Sequence, residues 1–141
     1  MSSLAVKTAV RGRLTALWDP VNAAVREPNK TFDPQGRPWI DIRFPGAGTD
    51  RADIGDAENP LWDEVGAFMV NVYIPAGDDP DLADALAEAA AAIFQGREFD
   101  GVECRNRLPG QSGERAPEGM QGAWWGVSFG IGYRYQSIGS P

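Results

Sequence analysis

The stretch from Val65 to Gly96 limits the possible folds more than any other part of the chain. Phe68, Val70, Val72 and Ile74 alternate with Ala67, Met69, Asn71 and Tyr73. This is the period of two that turns one apolar row of a strand toward a core. Pro75-Ala76-Gly77-Asp78 ends the strand, because Pro donates no ladder bond and Gly tolerates turn geometry. Asp79 is a good N-cap and Pro80 suits the first helical position, where its missing N–H costs nothing. Asp81 and Asp84 fall near the positive end of the helix dipole. Leu82, Ala85, Leu86, Ala89, Ala90, Ile93 and Phe94 then recur at helical spacing and predict one apolar stripe, packed on the Phe68–Ile74 row. Gly96 is the expected C-terminal stop.

The flanking segments add a second helix and further strands. Ser2 or Ser3 can cap a helix whose stripe is Val6, Val10, Leu14, Leu17 and Trp18, with Lys7, Arg11 and Thr15 on the opposite side. Gly12 weakens that helix or lets it approach a sheet closely. Asp19-Pro20 ends it. Val21–Val25 reads as an irregular turn, and Pro28 to Gly36 as successive turns. Ile40, Ile42 and Phe44 predict a strand that Pro45-Gly46 stops. Phe99, Val102 and Cys104 predict another, running to about Arg107. Leu108 to Gly122 is a loop by composition, rich in Pro and Gly. The last strand, Trp124 to Tyr135, has a bulky row (Trp125, Val127, Phe129, Ile131, Tyr133, Tyr135) and a row nearly bare of side chains (Trp124, Gly126, Ser128, Gly130, Gly132, Arg134). Such a glycine face permits close approach of another backbone or helix; intramolecular packing against the first helix is the expectation, and a subunit contact the alternative. The whole reads as one α+β domain of 141 residues: a mixed, mainly antiparallel sheet of about four or five strands, packed by two helices, with long loops.

Charge and composition narrow the function. Residues 44–103 hold fourteen acids against two bases, whereas residues 1–43 carry a net charge of +3. A chain this acidic in its middle lacks the basic footprint that wrapping DNA requires. It suits a surface that must not hold nucleic acid, or one that docks to a basic partner; plain solubility is the competing explanation. The chain has no His and one Cys. This removes the commonest general base, the commonest metal ligand and any intramolecular disulfide. Cys104 falls in an apolar row and reads as an inert buried thiol. No apolar run approaches a membrane span of ~20 residues. The N-terminus lacks a signal-peptide h-region, so synthesis inside the cell is the expectation.

Two loops invite chemical readings. Asp50, Asp53, Asp56 and Glu58 suggest calcium, but Asp50-Arg51-Ala52-Asp53-Ile54-Gly55-Asp56 lacks the alternating acid ligands and terminal Glu of an EF-hand loop. A solvated arm between two strands, with a short strand over Thr49–Ile54, is the reading kept. Gly110-Gln111-Ser112-Gly113 is not a nucleophile elbow, since its Ser is followed directly by Gly. No metal and no cofactor is expected.

Several segments resemble the tail terminators of tailed bacteriophages, especially the branch found in siphophage-like proviruses and gene transfer agents. These are the helix ending in Trp18, Phe32-Asp33-Pro34-Gln35-Gly36-Arg37-Pro38-Trp39-Ile40, the strand ending in Pro75-Ala76-Gly77, Ala83-Asp84-Ala85-Leu86-Ala87 running to Phe94-Gln95-Gly96-Arg97, and Gly101-Val102-Glu103-Cys104. The resemblance implies a non-enzymatic virion protein. It would form a hexameric ring on the last tail-tube ring, stop tube growth and meet the neck connector, with DNA passing its lumen unbound. Its partners would be the tube protein, the connector and its own copies, and it would reside in the virion tail after assembly in the host cytoplasm. Candidate interface residues are Asp50, Asp53 and Asp56 of the acidic arm, the row Met69, Asn71 and Tyr73, and Arg115 and Met120 of the long loop, Met and Tyr being enriched at interfaces.

Other readings remain open from the residues. A tail-tube subunit or another neck or head-completion protein shares the small α+β design. A carboxylate-dependent hydrolase would need two acids held together, which no motif here supplies. An acidic mimic of nucleic acid would need its acids along one face, whereas helix capping accounts for several of them.

Overall fold

The computed structural model describes residues 2–51, 61–120 and 122–138. In chain order the elements are α1 (Leu4–Leu17), β1 (Ala24–Val25), β2 (Trp39–Arg51), β3 (Leu61–Pro75), α2 (Pro80–Phe94), β4 (Glu98–Phe99), β5 (Val102–Leu108), β6 (Ser112–Arg115) and β7 (Trp124–Ile138). They form one sheet in the order β1-β2-β3-β7-β5-β4, with β6 also on β7. Every pairing is antiparallel except β1 with β2. The α+β class is as expected, but the sheet has seven strands rather than four or five.

The expected core row is the core. Phe68, Val70, Val72 and Ile74 are fully buried. They pair across the sheet with Ile131, Phe129, Val127 and Trp125, so both rows face the helix layer. The ring of Phe94 on α2 meets that of Phe68 edge-on at 5.1 Å. Asp79 caps α2 by accepting a hydrogen bond from the Asp81 amide at 3.0 Å, and Gly96 follows it at φ +67°. The buried stripe of α2 is nevertheless Ala83, Leu86, Ala87, Ala90, Ala91, Ile93 and Phe94, a rotated version of the expected one. Leu82, Ala85 and Ala89 face outward. In α1, Ser3 is the cap, and Val6, Val10 and Leu14 are buried, while Leu17 is 56% exposed. No atom lies within 4 Å of where a Gly12 β-carbon would stand, so Gly12 makes no close contact with the sheet. α2 has no basic residue in its last turn. Arg13 of α1 supplies one instead, its Nε donating to the Ile93 carbonyl at 2.7 Å.

Several boundaries differ from expectation. Pro45-Gly46 does not stop β2. The strand takes one extra residue between Arg43 and Gly46, a β-bulge, and continues to Arg51. Pro is accommodated there because a bulge relaxes the ladder bond it cannot make. Val21–Val25 is not all turn, since Ala24–Val25 pairs with Trp39–Ile40. The strand expected from Phe99 to Arg107 is split by Asp100-Gly101, both at positive φ (+47° and +81°), a two-residue hairpin turn. The long loop is strand in its first half. β6 continues the line of β5 along β7, bridged by paired bonds between Gln111 and Ser128 at 3.1 and 2.8 Å.

Candidate assembly surface

The sheet face turned away from the helices holds four of the eight candidate interface residues, Met69, Asn71, Tyr73 and Arg115. Alternation places Met69, Asn71 and Tyr73 there, opposite Gly130, Ser128 and Gly126 of β7 and Arg43, Asp41 and Trp39 of β2. The glycine row therefore does not receive α1, which packs on the other face. Over Gly126 and Gly130 its space is filled by side chains of its own sheet. A β-carbon on Gly126 would meet the Arg115 side chain at 2.8 Å and the Tyr73 ring at 3.0 Å, and one on Gly130 would meet Met69 Sδ at 3.2 Å. Tyr73 and Arg115 are thus brought together over Gly126, with Met69 next along the floor.

At the upper end of this face Trp39 is fully buried in an aromatic cluster. It stacks on Tyr73 at 4.2 Å, meets Trp124 edge-on at 5.9 Å and touches Phe32 at 5.6 Å. The Arg26 guanidinium lies 5.5 Å over the Trp39 ring. Asp41 is only 4% exposed. Its carboxylate accepts from Asn71 Nδ2 at 2.8 Å and from Arg43 Nε at 3.2 Å. A buried carboxylate held by a charge-assisted bond and an amide is stabilised only while both remain. Asn71 is therefore committed to the fold, and Met69, Tyr73 and Arg115 are the half-buried groups this face can offer a partner. Met120 lies beyond them, beside Trp124 and Phe32 at the rim. Burial pushes the Tyr73 hydroxyl above its ordinary range, aided by the Asp41 charge.

The acidic arm begins as a three-stranded ribbon in which β2, β3 and β7 run on past the bulge. Asp50 is placed there by its backbone alone, opposite Asp63. Asp53 and Asp56 lie outside the described residues. On the ribbon Arg134 grips Asp63 with two bonds of 3.1 and 2.9 Å. That bidentate contact lowers the Asp63 pKa below the ordinary carboxylate range.

At the root of the ribbon is a polar cluster with no sequence signature. Tyr133 reaches across Gly66 and donates to the Glu64 carboxylate at 2.6 Å. The same hydroxyl bonds Ser2 Oγ at 2.8 Å. Both Glu64 oxygens also accept the Ser3 amide, at 3.2 and 3.3 Å. Ser2, Glu64 and Tyr133 are 1%, 6% and 1% exposed. This cluster ties the start of α1 to β3 and β7. Desolvation, with the Glu64 bond, raises the Tyr133 pKa far above normal. The sequence shows only the period-two position of Tyr133; its partners come from strand register.

Cys104 is 4% exposed, and burial pushes its thiol up to about 12, the nearby Arg13 offsetting this only in part. It is a neutral thiol near pH 7, the wrong state for a nucleophile. No group of three metal-ligating side chains occurs among the described residues. No described helix is long and apolar enough to cross a membrane.

A family model described as phage tail terminator protein matches residues 5–133. Twenty-five solved chains match this one. One of them, which carries no functional description, is 25% identical, covers 99% of this chain and 99% of its own, and superposes with a TM-score of 0.60. No curated protein matches it.

Proposed function

The chain belongs to the phage tail terminator family, and on that premise we propose that it assembles into a ring, a hexamer, at the head-proximal end of a tail tube, halts tube growth there and presents the neck with its docking surface. It is a structural protein of the phage tail. The observation that carries the proposal is the extent of the family match, residues 5–133, which takes in both helices and nearly all of the sheet. Its partners are copies of itself, the tube protein and the connector, and its place is the virion tail, of a phage or a gene transfer agent, after assembly in the host cytoplasm. It acts by shape and charge and makes or breaks no bond. In a ring, the acids of residues 44–103 that take no part in subunit or partner contacts line a lumen that repels passing DNA. Met69, Tyr73, Arg115 and Met120 on the open sheet face, with Asn71 holding its floor, and Asp50, Asp53 and Asp56 on the arm serve contacts to neighbours, tube or connector.

Mass photometry with negative-stain microscopy tests this. A discrete ring, formed alone at high concentration or on tube ends, is the expected result. Unlimited fibres would mark a tube subunit instead. Binding to isolated connectors with no affinity for tubes would mark a head-completion protein. A protein that stays monomeric and leaves tubes unaltered would refute the terminator role.

A further inference from the structure

The two helices carry opposite charge that forms no ion pair among the described residues. α1 holds Lys7, Arg11 and Arg13 and no acid, and α2 holds Asp81, Asp84 and Glu88 and no base. Lys7 and Arg11, one turn apart, lie on one flank over the Phe44 ring of β2, at 5.9 and 5.1 Å from its centroid. Asp81, Asp84 and Glu88, at i, i+3 and i+7, form one exposed stripe. Among the described residues neither Lys7 nor Arg11 reaches a carboxylate, and none of the three acids reaches a cation.

Topology explains why these charges stay apart. The Lys7–Arg11 flank overlies β2. The α2 stripe borders the opposite side, where Asp84 lines a groove with Arg107 and Phe129. β3 and β7 separate those two sides of the sheet. Complementary surfaces on opposite sides of one molecule make a head-to-tail contact, which closes into a ring when the rotation allows. Two-fold contacts through either helix would instead set like charges together. Leu82 is 41% exposed beside Asp81 and gives the acidic flank an apolar anchor.

We infer that the Asp81–Asp84–Glu88 flank of α2 in one copy docks on the Lys7–Arg11 flank of α1 in the next, joining subunits head to tail. This rests on the ring reading above and names its contact. The test uses two variants of the full chain. In one, Asp81→Lys, Asp84→Lys and Glu88→Lys make both flanks basic. In the other, Lys7→Glu and Arg11→Glu make both acidic. Each variant alone should self-associate about tenfold more weakly or worse, measured by analytical ultracentrifugation. Mixed in equal amounts they should form rings again, because each new flank finds its opposite in the other variant. That rescue also shows that both are folded. If Lys7→Glu/Arg11→Glu lowers the melting temperature, Lys7→Gln/Arg11→Gln tests the same contact by loss of attraction alone. Assembly of the parent should weaken on raising NaCl from ~0.05 to ~0.5 M. Variants that assemble like the parent, or a mixture that stays dissociated, would overturn the inference and leave the ring reading intact. A parent that forms no ring even on tube ends would overturn both.

Discussion

Replacing Tyr133 by Phe removes one hydroxyl from a site that water does not reach. Two bonds go with it: the 2.6 Å bond to the Glu64 carboxylate and the 2.8 Å bond to Ser2 Oγ. A hydrogen bond to a charged group contributes about 1.5–3 kcal/mol and a neutral one about 0.5–1.5 kcal/mol. Glu64 keeps the Ser3 amide, so the carboxylate is weakened rather than stranded. The net loss should be about 3 kcal/mol. At 141 residues that is a fall of roughly 10 °C in melting temperature. Urea unfolding should show a lower midpoint at unchanged m-value, and hydrogen exchange should show earlier opening at the start of α1. The raised Tyr133 pKa adds a pH signature. A phenol whose pKa is higher folded than unfolded stabilises fully below its unfolded value of about 10, and that stability is lost as pH rises above it. The parent should therefore lose more stability than Tyr133→Phe between about pH 9.5 and 11. A variant within ~0.5 kcal/mol of the parent, with the same alkaline profile, would refute the role given to this cluster.

Three glycine substitutions should separate backbone fit from free space. Gly110→Ala puts a β-carbon 1.4 Å from the Ser128 carbonyl oxygen, so chemical denaturation should show a loss of at least ~2 kcal/mol and weaker exchange protection of Ser128. Gly12→Ala meets nothing within 4 Å on a helix and should raise stability by about 0.5–1 kcal/mol in the same assay. Gly126→Ala presses on Arg115 Cγ and on the Tyr73 ring, at 2.8 and 3.0 Å, and that ring is stacked on Trp39 at 4.2 Å. It should cost about 1–3 kcal/mol by chemical denaturation, and weaken assembly in a ring-formation assay if the open sheet face meets a partner.

The parts legible in the sequence were those with a single period and unambiguous ends. Phe68 to Ile74 alternates strictly, and Asp79-Pro80 with Gly96 brackets α2, so the residues alone define that unit and its caps. The buried side of α2 was not, because alanines at 83, 85, 87, 89, 90, 91 and 92 suit either face. Only contact with β3 and β7 selects Ala83, Ala87 and Ala91. Pro45-Gly46 looks like a stop because a bulge and a stop draw on the same residues. Asp100-Gly101 is a hairpin signal that the surrounding apolar alternation concealed. β6 has no apolar residue, and its place is fixed by the bonds it makes to β7. On the candidate surface, the alternation at Met69, Asn71 and Tyr73 shows the row but not its floor of glycines or the Asp41 bond to Asn71. The opposite charge of the two helices was present in the sequence. That the flanks lie on opposite sides of the sheet required the strand order.

Capping a growing tube is the proposed role, and it has a direct readout. The most direct measurement is the length distribution of tubes polymerised from tail-tube subunits with increasing amounts of this protein, counted by electron microscopy with the tube ends imaged. Shorter tubes, each with a ring at one end and no growth beyond it, are what a terminator produces. Tubes of unchanged length with bare ends at saturating protein would contradict it.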